Sequence, residues 1–267
     1  MQQREKKTLL TVKDLKLHYN RGLFSRQIVR AVNGVSLTIG HGHTFGLIGE
    51  SGSGKSTLAR CILRLIKPTG GRIWFEGNDI SRMNGNLKSY RRKVQVIFQD
   101  ADGALNPRMR AIDLVSEPLR IHGIPRDKAH QQALNLLGRV KLPPDLADSF
   151  PDELSGGQRQ RIGIARALSL SPRLIIADEA TASLDILNRV HIVNLLRQLQ
   201  AESGISYLFI SHDINLIRRM AEQVAVMHRG KFVEAGPVDR IFSAPAHPYT
   251  RELLSSNRSL DPLSDLP

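Results

Sequence analysis

Cysteine is nearly absent: Cys61 stands alone among 267 residues, so no disulfide can close within the chain. A lone thiol also argues against zinc and iron–sulfur sites, which need several such ligands, and it suits a reducing compartment. Aromatic residues make up only 5%, with a single tryptophan. The densest basic clusters, Arg91-Arg92-Lys93 and Arg218-Arg219, have no aromatics between them. A base-stacking surface would interleave the two, so nucleic acid is not an expected partner. No apolar run approaches the ~18 residues that cross a bilayer. If a membrane matters, another polypeptide spans it. The opening Met1-Gln-Gln-Arg-Glu-Lys-Lys7 is charged but has no apolar stretch behind it, so it does not read as a signal peptide. Acidic residues are the scarcer charge, 25 against 38 basic, for a net +13. The basic residues are scattered, which fits general solubility as well as an anionic partner.

What is present is a 41% apolar chain, long enough for one large domain or a core with a subdomain. Val12, Leu15 and Leu17, then Val35, Leu37 and Ile39, alternate as half-buried strands do. Thr44–Gly49 reads as a buried strand, Leu58–Ile66 as a helix stopped by Pro68-Thr-Gly-Gly71, and Ile73 with Phe75 as another strand. Val94–Phe98 is a further buried strand. From about Asp100 to Pro151 strand signals vanish, and helices are expected over Ile112–Leu119 and Ala129–Val140. Alternation resumes with a helix over Gly156–Leu170, a strand at Leu174–Ala177, a helix over Asn188–Glu202, and strands at Tyr207–Ile210 and Val224–Met227. Such alternation argues for a mostly parallel α/β core. The tail after about Ala244 holds four of the 13 prolines and is expected to be irregular.

Gly49-Glu50-Ser51-Gly52-Ser53-Gly54-Lys55-Ser56-Thr57 fits the phosphate-binding pattern G-x-x-x-x-G-K-[ST] between a buried strand and an apolar-faced helix. Its glycines let backbone N–H groups converge on a phosphate at a helix N-terminus. Lys55 can reach the β- and γ-phosphates, and Ser56 can ligate Mg²⁺. Asp178 and Glu179 follow the strand Leu174–Ala177, the first suited to Mg²⁺ and the second to orienting an attacking water. His212 follows the strand ending at Ile210, and Gln99 follows the strand at Val94–Phe98. Both lie where α/β sheets bind ligands, so His212 suits a γ-phosphate contact and Gln99 the metal or the water. Tyr19 precedes the core and can stack on a base or simply pack. Leu154-Ser155-Gly156-Gly157-Gln158 opens a helix with Ser155 as N-cap and two glycines that leave N–H groups open to an anion. One nucleotide does not need two such helix ends from one chain.

In that order these motifs resemble the ATP-binding subunits of ABC transporters over roughly Leu10–Leu254. Tyr19 matches the adenine-stacking loop, Gly49–Thr57 Walker A, Gln99 the Q-loop and Leu154–Gln158 the signature. Ile175–Glu179 matches Walker B, Ser183-Leu184-Asp185 the D-loop, and His212 the switch histidine. The chain departs at Ala180, where the family usually has proline. The resemblance implies a P-loop, RecA-like ATPase core with an antiparallel β portion and an inserted α-helical subdomain. It implies one domain over about 8–260: core about 8–99 and 158–242, helical insertion about 100–157, tail about 243–267. It also implies ATP and Mg²⁺ as ligands, and a head-to-tail dimer in which Ser155–Gln158 and Asp185 serve the partner's nucleotide.

Asn106-Pro-Arg-Met109, Ser116-Glu-Pro-Leu-Arg120 and His247-Pro-Tyr-Thr250 resemble segments of dipeptide, oligopeptide and nickel importers, with Ala101 a departure from the usual proline. That branch implies a second ABC ATPase subunit, non-identical or a second copy. It also implies two transmembrane permease subunits, an extracytoplasmic solute-binding protein and a place at the cytoplasmic face of a bacterial inner membrane. The alternative is a non-transport ABC ATPase acting on nucleic acid or ribosomes, which usually carries two cassettes or long coiled-coil insertions. An exporter ATPase and a non-catalytic subunit fit the importer-like segments and the intact Lys55, Glu179 and His212 less well.

Overall fold

Alternating apolar residues at the N-terminus fold as strands longer than the pattern suggests. In the computed structural model, residues 8–20, 28–83, 85, 87–99 and 101–258 are described. The reading of Met1–Lys7, the start of the helical stretch at Asp100 and the end of the tail lie outside them. In chain order come β1 (Thr8–Asn20), β2 (Ile28–Gly40), β3 (Thr44–Ile48), α1 (Lys55–Ile62), β4 (Gly70–Phe75) and β5 (Asn78–Asp79). Next are α2 (Lys88–Lys93), β6 (Val94–Ile97), α3 (Ala101–Ala104), α4 (Ala111–Ile121) and α5 (Arg126–Arg139), then 3-10 turns at Pro144–Asp148 and Pro151–Glu153. They are followed by α6 (Gly156–Leu168), β7 (Leu174–Asp178), α7 (Ile186–Ser203), β8 (Ser206–Ile210) and α8 (Ile214–Met220). The chain continues through β9 (Gln223–His228), β10 (Lys231–Pro237), α9 (Val238–Ser243) and α10 (Pro248–Arg258).

These elements group into two compact units, Met1–Asn86 with Ser206–Pro267, and Leu87–Ile205. In the first unit an antiparallel sheet runs β2-β1-β4-β5. Irregularities in the β1–β2 ladder, between Val12 and Leu15 among others, let two 13-residue strands stay paired while twisting. The same unit holds β10, β9, β3 and β8 in that order, with β3 parallel to both β8 and β9. All five residues of β3 and all five of β8 are buried, as strands covered on both faces must be. Helix α1 buries Leu58, Ala59, Cys61 and Ile62, where each large apolar side chain is worth about 1.5–3 kcal/mol. Burial pushes the Cys61 thiol up to about 11, offset only in part by the charge of Arg64, so the single cysteine is an inert core residue.

In the second unit β6 and β7 pair in parallel, Val94 with Leu174 through Ile97 with Ala177. Around α4 and α5, Leu119, Ala129 and Leu170 form a buried cluster that Ile124 covers. The arginines of α6 tie this unit together. Arg159 donates to the carbonyls of Pro151 and Leu154, and Arg161 to that of Val140 at 2.6 Å. Arg166 donates to Ala104 and pairs with Glu117 at 3.0 Å. Part of the basic excess thus anchors one helix rather than meeting a partner.

The tail corrects one expectation. Proline content suggested an irregular segment, yet Pro248–Arg258 is helical. Pro248 opens the helix, where its fixed φ is favourable and its missing N–H has no helical partner to lose.

Candidate functional site

In the first unit, β3 delivers the chain into the glycine-rich loop and α1 carries it away. The N-cap of α1 is Gly54, which makes no side-chain cap hydrogen bond, and the first turn has no acidic residue. The positive end of the α1 dipole therefore faces the loop with no acidic side chain in its first turn. Gly54 adopts φ 110°, and a Cβ there would sit 2.2 Å from the Ala31 carbonyl oxygen. Gly52 also has a left-handed φ, 78°, but nothing lies within 4 Å of its would-be Cβ. Gly54→Ala is therefore expected to weaken ATP binding by more than about tenfold, because backbone must move. Gly52→Ala should cost only the left-handed penalty of about 1–2 kcal/mol. Equilibrium ATP titration of both variants checks the order.

Lys55 is 5% exposed, an unusual burial for an ammonium. Its Nζ donates to the carbonyls of Gly49 at 2.7 Å and Glu50 at 2.8 Å. It is thus held by two carbonyls of the loop itself. The loop is braced from the β9–β10 turn, where Gly230 N–H donates to the Ser53 carbonyl at 2.8 Å.

Leu47 of β3 pairs with Ile210 of β8, so the chains leaving these strands emerge at the same carboxyl edge. His212 is exposed two residues past that pair, between a buried Ser211 and Asp213. Asp213 caps α8, accepting from the N–H groups of Asn215 and Leu216 at 3.0 and 3.2 Å. The Ser211 hydroxyl accepts from Asp213 N–H at 3.0 Å. The backbone on both sides of His212 is therefore fixed while its ring faces outward. Tyr19 is 42% exposed beside the exposed Val29 and Ile28, which leaves its ring open for stacking instead of packing it away.

In the second unit, Ile97 pairs with Ala177, and the residues just past this pair are Phe98 and Gln99 on one strand, Asp178 and Glu179 on the other. Gln99 is exposed; the two acids are half-buried. Glu179 holds φ 51°, a left-handed conformation that costs a non-glycine residue about 1–3 kcal/mol and recurs at active sites. Ala180 behind it is buried, and Glu179's carbonyl accepts from Ala182 N–H at 3.0 Å.

Ser155 caps α6 as its position suggested. Its hydroxyl accepts from Gln158 N–H at 3.3 Å, and Gln158 Oε1 accepts from Ser155 N–H at 2.8 Å. This reciprocal box leaves the N–H groups of Gly156 and Gly157 unclaimed by any side-chain cap, with no acid in the first turn. Asp185 caps α7, and the N–H of Asn188, then its side-chain amide, hold the carboxyl below the usual carboxylate range. Asn188 also lies against Gly157, so one amide joins the starts of α6 and α7. Its place three residues after Asp185 was the available sequence signal, and it went unread. Tyr249 was read only as part of a branch marker, yet its hydroxyl accepts from Glu50 N–H at 3.2 Å in the glycine-rich loop.

Ser56 on α1 in the first unit carries a hydroxyl, and Asp178 in the second a half-buried carboxylate at a strand end, each a hard oxygen of the kind Mg²⁺ accepts. Among the described residues no group of three or more His, Cys, Asp or Glu forms a self-contained metal site.

A family model described as ABC transporter matches residues 32–182, and one described as oligopeptide/dipeptide transporter, C-terminal region matches 233–267. The dipeptide transport ATP-binding protein DppF of Lactococcus lactis subsp. cremoris is 45% identical over 98% of this chain and 85% of its own length. DppF of Escherichia coli is 42% identical over 95% of this chain and 78% of its own. Among solved structures, a dimeric post-hydrolysis state of the ATP-binding cassette MJ0796 bound to ADP and Pi superimposes with TM-score 0.78. It is 31% identical and covers 86% of this chain and 99% of that one. CbiO1 of Clostridium perfringens, part of a transporter complex, gives 0.79 at 29% identity over 89% of this chain and 92% of that one.

Proposed function

The chain belongs to the ABC transporter family, as an ATP-binding and ATP-hydrolysing cassette, and from that premise we propose that it powers a bacterial importer of dipeptides or oligopeptides. The observation that carries the ATPase reading is the uncapped N-terminus of α1 with Lys55 buried in its loop. The match of residues 233–267 to an oligopeptide/dipeptide transporter region supports the peptide cargo over a nickel cargo, and over work on nucleic acid or ribosomes.

In this reading the domain spans about 8–260, and its side chains divide the work. Tyr19 stacks on adenine, and the loop of Gly49, Glu50, Ser51, Gly52, Ser53 and Gly54 wraps the phosphates, with the Glu50 N–H held by Tyr249 and the Ser53 N–H by the Glu50 carbonyl. Lys55 neutralises the β- and γ-phosphates, and Thr57 follows in the first turn of α1. Ser56, Gln99 and Asp178 would hold Mg²⁺, which would supply charge screening for phosphoryl transfer. Glu179 orients and deprotonates the attacking water, with Gln99 beside that water. His212 donates to the γ-phosphate. Ser155, Gly156, Gly157 and Gln158, with Asp185, face the nucleotide of a second ABC ATPase subunit, whether a related chain or a second copy. The dimeric cassettes with which this chain superimposes support such a pairing.

No helix among the described residues is long and apolar enough to cross a membrane. The place proposed from the family reading is peripheral, at the cytoplasmic face of the inner membrane, docked on two permease subunits that a solute-binding protein feeds. In the second unit a groove of about 280 Å³ lined by Phe98, Leu105, Pro118, Ile121 and Leu170 suits an apolar helix of a permease loop. Phe98 and Ile121 are 48% and 64% exposed there. Tagged chain purified from its own membranes should bring permease proteins with it, and peptide-loaded binding protein should raise ATP turnover of that assembly. Co-purification of RNA or ribosomes without permeases would favour the rival, and stimulation only by a nickel-loaded binding protein would change the cargo.

A further inference from the structure

The peptide unit joining Gly49 to Glu50 is gripped at both ends. Its carbonyl accepts from Lys55 Nζ at 2.7 Å, and its N–H donates to the Tyr249 hydroxyl at 3.2 Å. A peptide unit is planar, so the direction of one end fixes that of the other. Tyr249 comes from far along the chain, and its own position is over-determined. Its ring stacks on His228 with centroids 4.0 Å apart at 43°, and His228 ends β9 just before the turn whose Gly230 braces Ser53. Its N–H donates to His247 Nδ1 at 3.1 Å. The N–H groups of Ala246 and His247 donate to the two carboxylate oxygens of Glu234 at 2.9 and 3.0 Å. Burial would raise the Glu234 carboxyl, but these N–H donors, together with Thr250 and the charge of Arg240, outweigh it and keep the group below its usual range. A continuous path therefore runs from β10 through residues 246–249 into the phosphate loop.

We infer that Tyr249 is a positioning residue for Lys55, and that docking of the C-terminal segment Ala246–Thr250 is coupled to nucleotide binding. The coupling rests on the reading of Lys55 as the phosphate lysine. Tyr249 touches no reacting atom. It holds the Gly49–Glu50 peptide so that the Gly49 carbonyl that seats the ammonium points at it, and a loop free to rotate that peptide would present Lys55 less often. By linkage the effect is reciprocal: if the docked segment favours nucleotide, nucleotide favours the docked segment by the same factor. Residues 233–267 would then be a built-in part of the nucleotide site, beyond marking a branch of the family.

Tyr249→Phe keeps the ring on His228 and removes only the hydroxyl. In the full chain it is expected to raise the ATP Kd and the KM for ATP about three- to tenfold, the range of one neutral hydrogen bond. Turnover at saturating ATP should stay within about twofold, because a uniform binding loss falls on KM. Hydrogen exchange supplies a second readout in the unmutated protein. A non-hydrolysable ATP analogue with Mg²⁺ should slow exchange over Ala246–Leu254, and Tyr249→Phe should remove most of that protection. Unchanged ATP affinity in Tyr249→Phe, or exchange in this segment indifferent to nucleotide, overturns the coupling. Lys55→Ala separates the two levels: it should abolish tight ATP binding. If it does not, the loop reading itself fails, whereas a silent Tyr249→Phe beside a dead Lys55→Ala defeats the positioning role alone.

Discussion

Glu179→Gln should bind ATP as well as the unmodified chain and hydrolyse it slower by a factor on the order of 10²–10⁴, the usual contribution of a general base. The amide keeps the size of the carboxylate and one acceptor oxygen, but it cannot take a proton from water. The fold has no reason to change. Glu179 carries φ 51°, a strain that glutamine meets to a similar degree, and the local turn is closed by backbone, Ala182 N–H to the Glu179 carbonyl at 3.0 Å. A variant that loads ATP and cannot discharge it should also accumulate as an ATP-bound dimer, visible by size-exclusion chromatography with nucleotide in the buffer. Single-turnover hydrolysis and a binding titration on the same preparation check both halves. Near-normal turnover would remove Glu179 from its role and leave Asp178 or His212 as the acidic or basic partner of the water.

The strain at Glu179 marks the border between what the sequence made legible and what it did not. Buried strands β3, β7 and β8 were readable because each is a short apolar run bounded by polar or glycine residues, and their ends carry the chemistry. The cap at Ser155 was readable because a serine followed three residues later by glutamine before an apolar face has a local mechanism. Features built from distant residues were not readable. Nothing local announces that Arg159, Arg161 and Arg166 would be consumed by carbonyls and Glu117, so in the sequence they count only toward a scattered basic excess. Helix α10 hid behind its prolines because Pro248 at a first turn and a proline inside a loop look alike until the next residues pack. The hydrogen bond from Glu50 to Tyr249 spans 199 positions, beyond any periodicity, although the motif containing Tyr249 was plain.

Ser155 offers the sharpest test of the facing-dimer reading, because its two physical roles can be pulled apart. As N-cap of α6 its oxygen accepts from Gln158 N–H, and losing that cap costs about 1 kcal/mol of stability. As a phosphate ligand its hydroxyl would act as a donor, and removing one transition-state donor typically slows hydrolysis by about 10²–10³. Ser155→Ala should lose both. Ser155→Asp should keep the cap, since a carboxylate at a helix N-terminus is favourable, yet it sets a negative charge where a γ-phosphate is expected. It should therefore melt like the unmodified chain and be at least as inactive as Ser155→Ala. Where the loss falls is decisive. In a mixed dimer of one Ser155→Asp subunit and one Lys55→Ala subunit, the damaged cap faces the nucleotide site already lost in its partner. The remaining site combines an intact phosphate loop with an intact Ser155, so about half the activity should survive if the two sites act independently. Placing both substitutions in one subunit leaves each composite site with one defect and should silence the pair. The reverse order, with activity surviving when both substitutions share one subunit and lost when they are split, would mean that Ser155 serves its own chain, and the head-to-tail pairing would have to be abandoned.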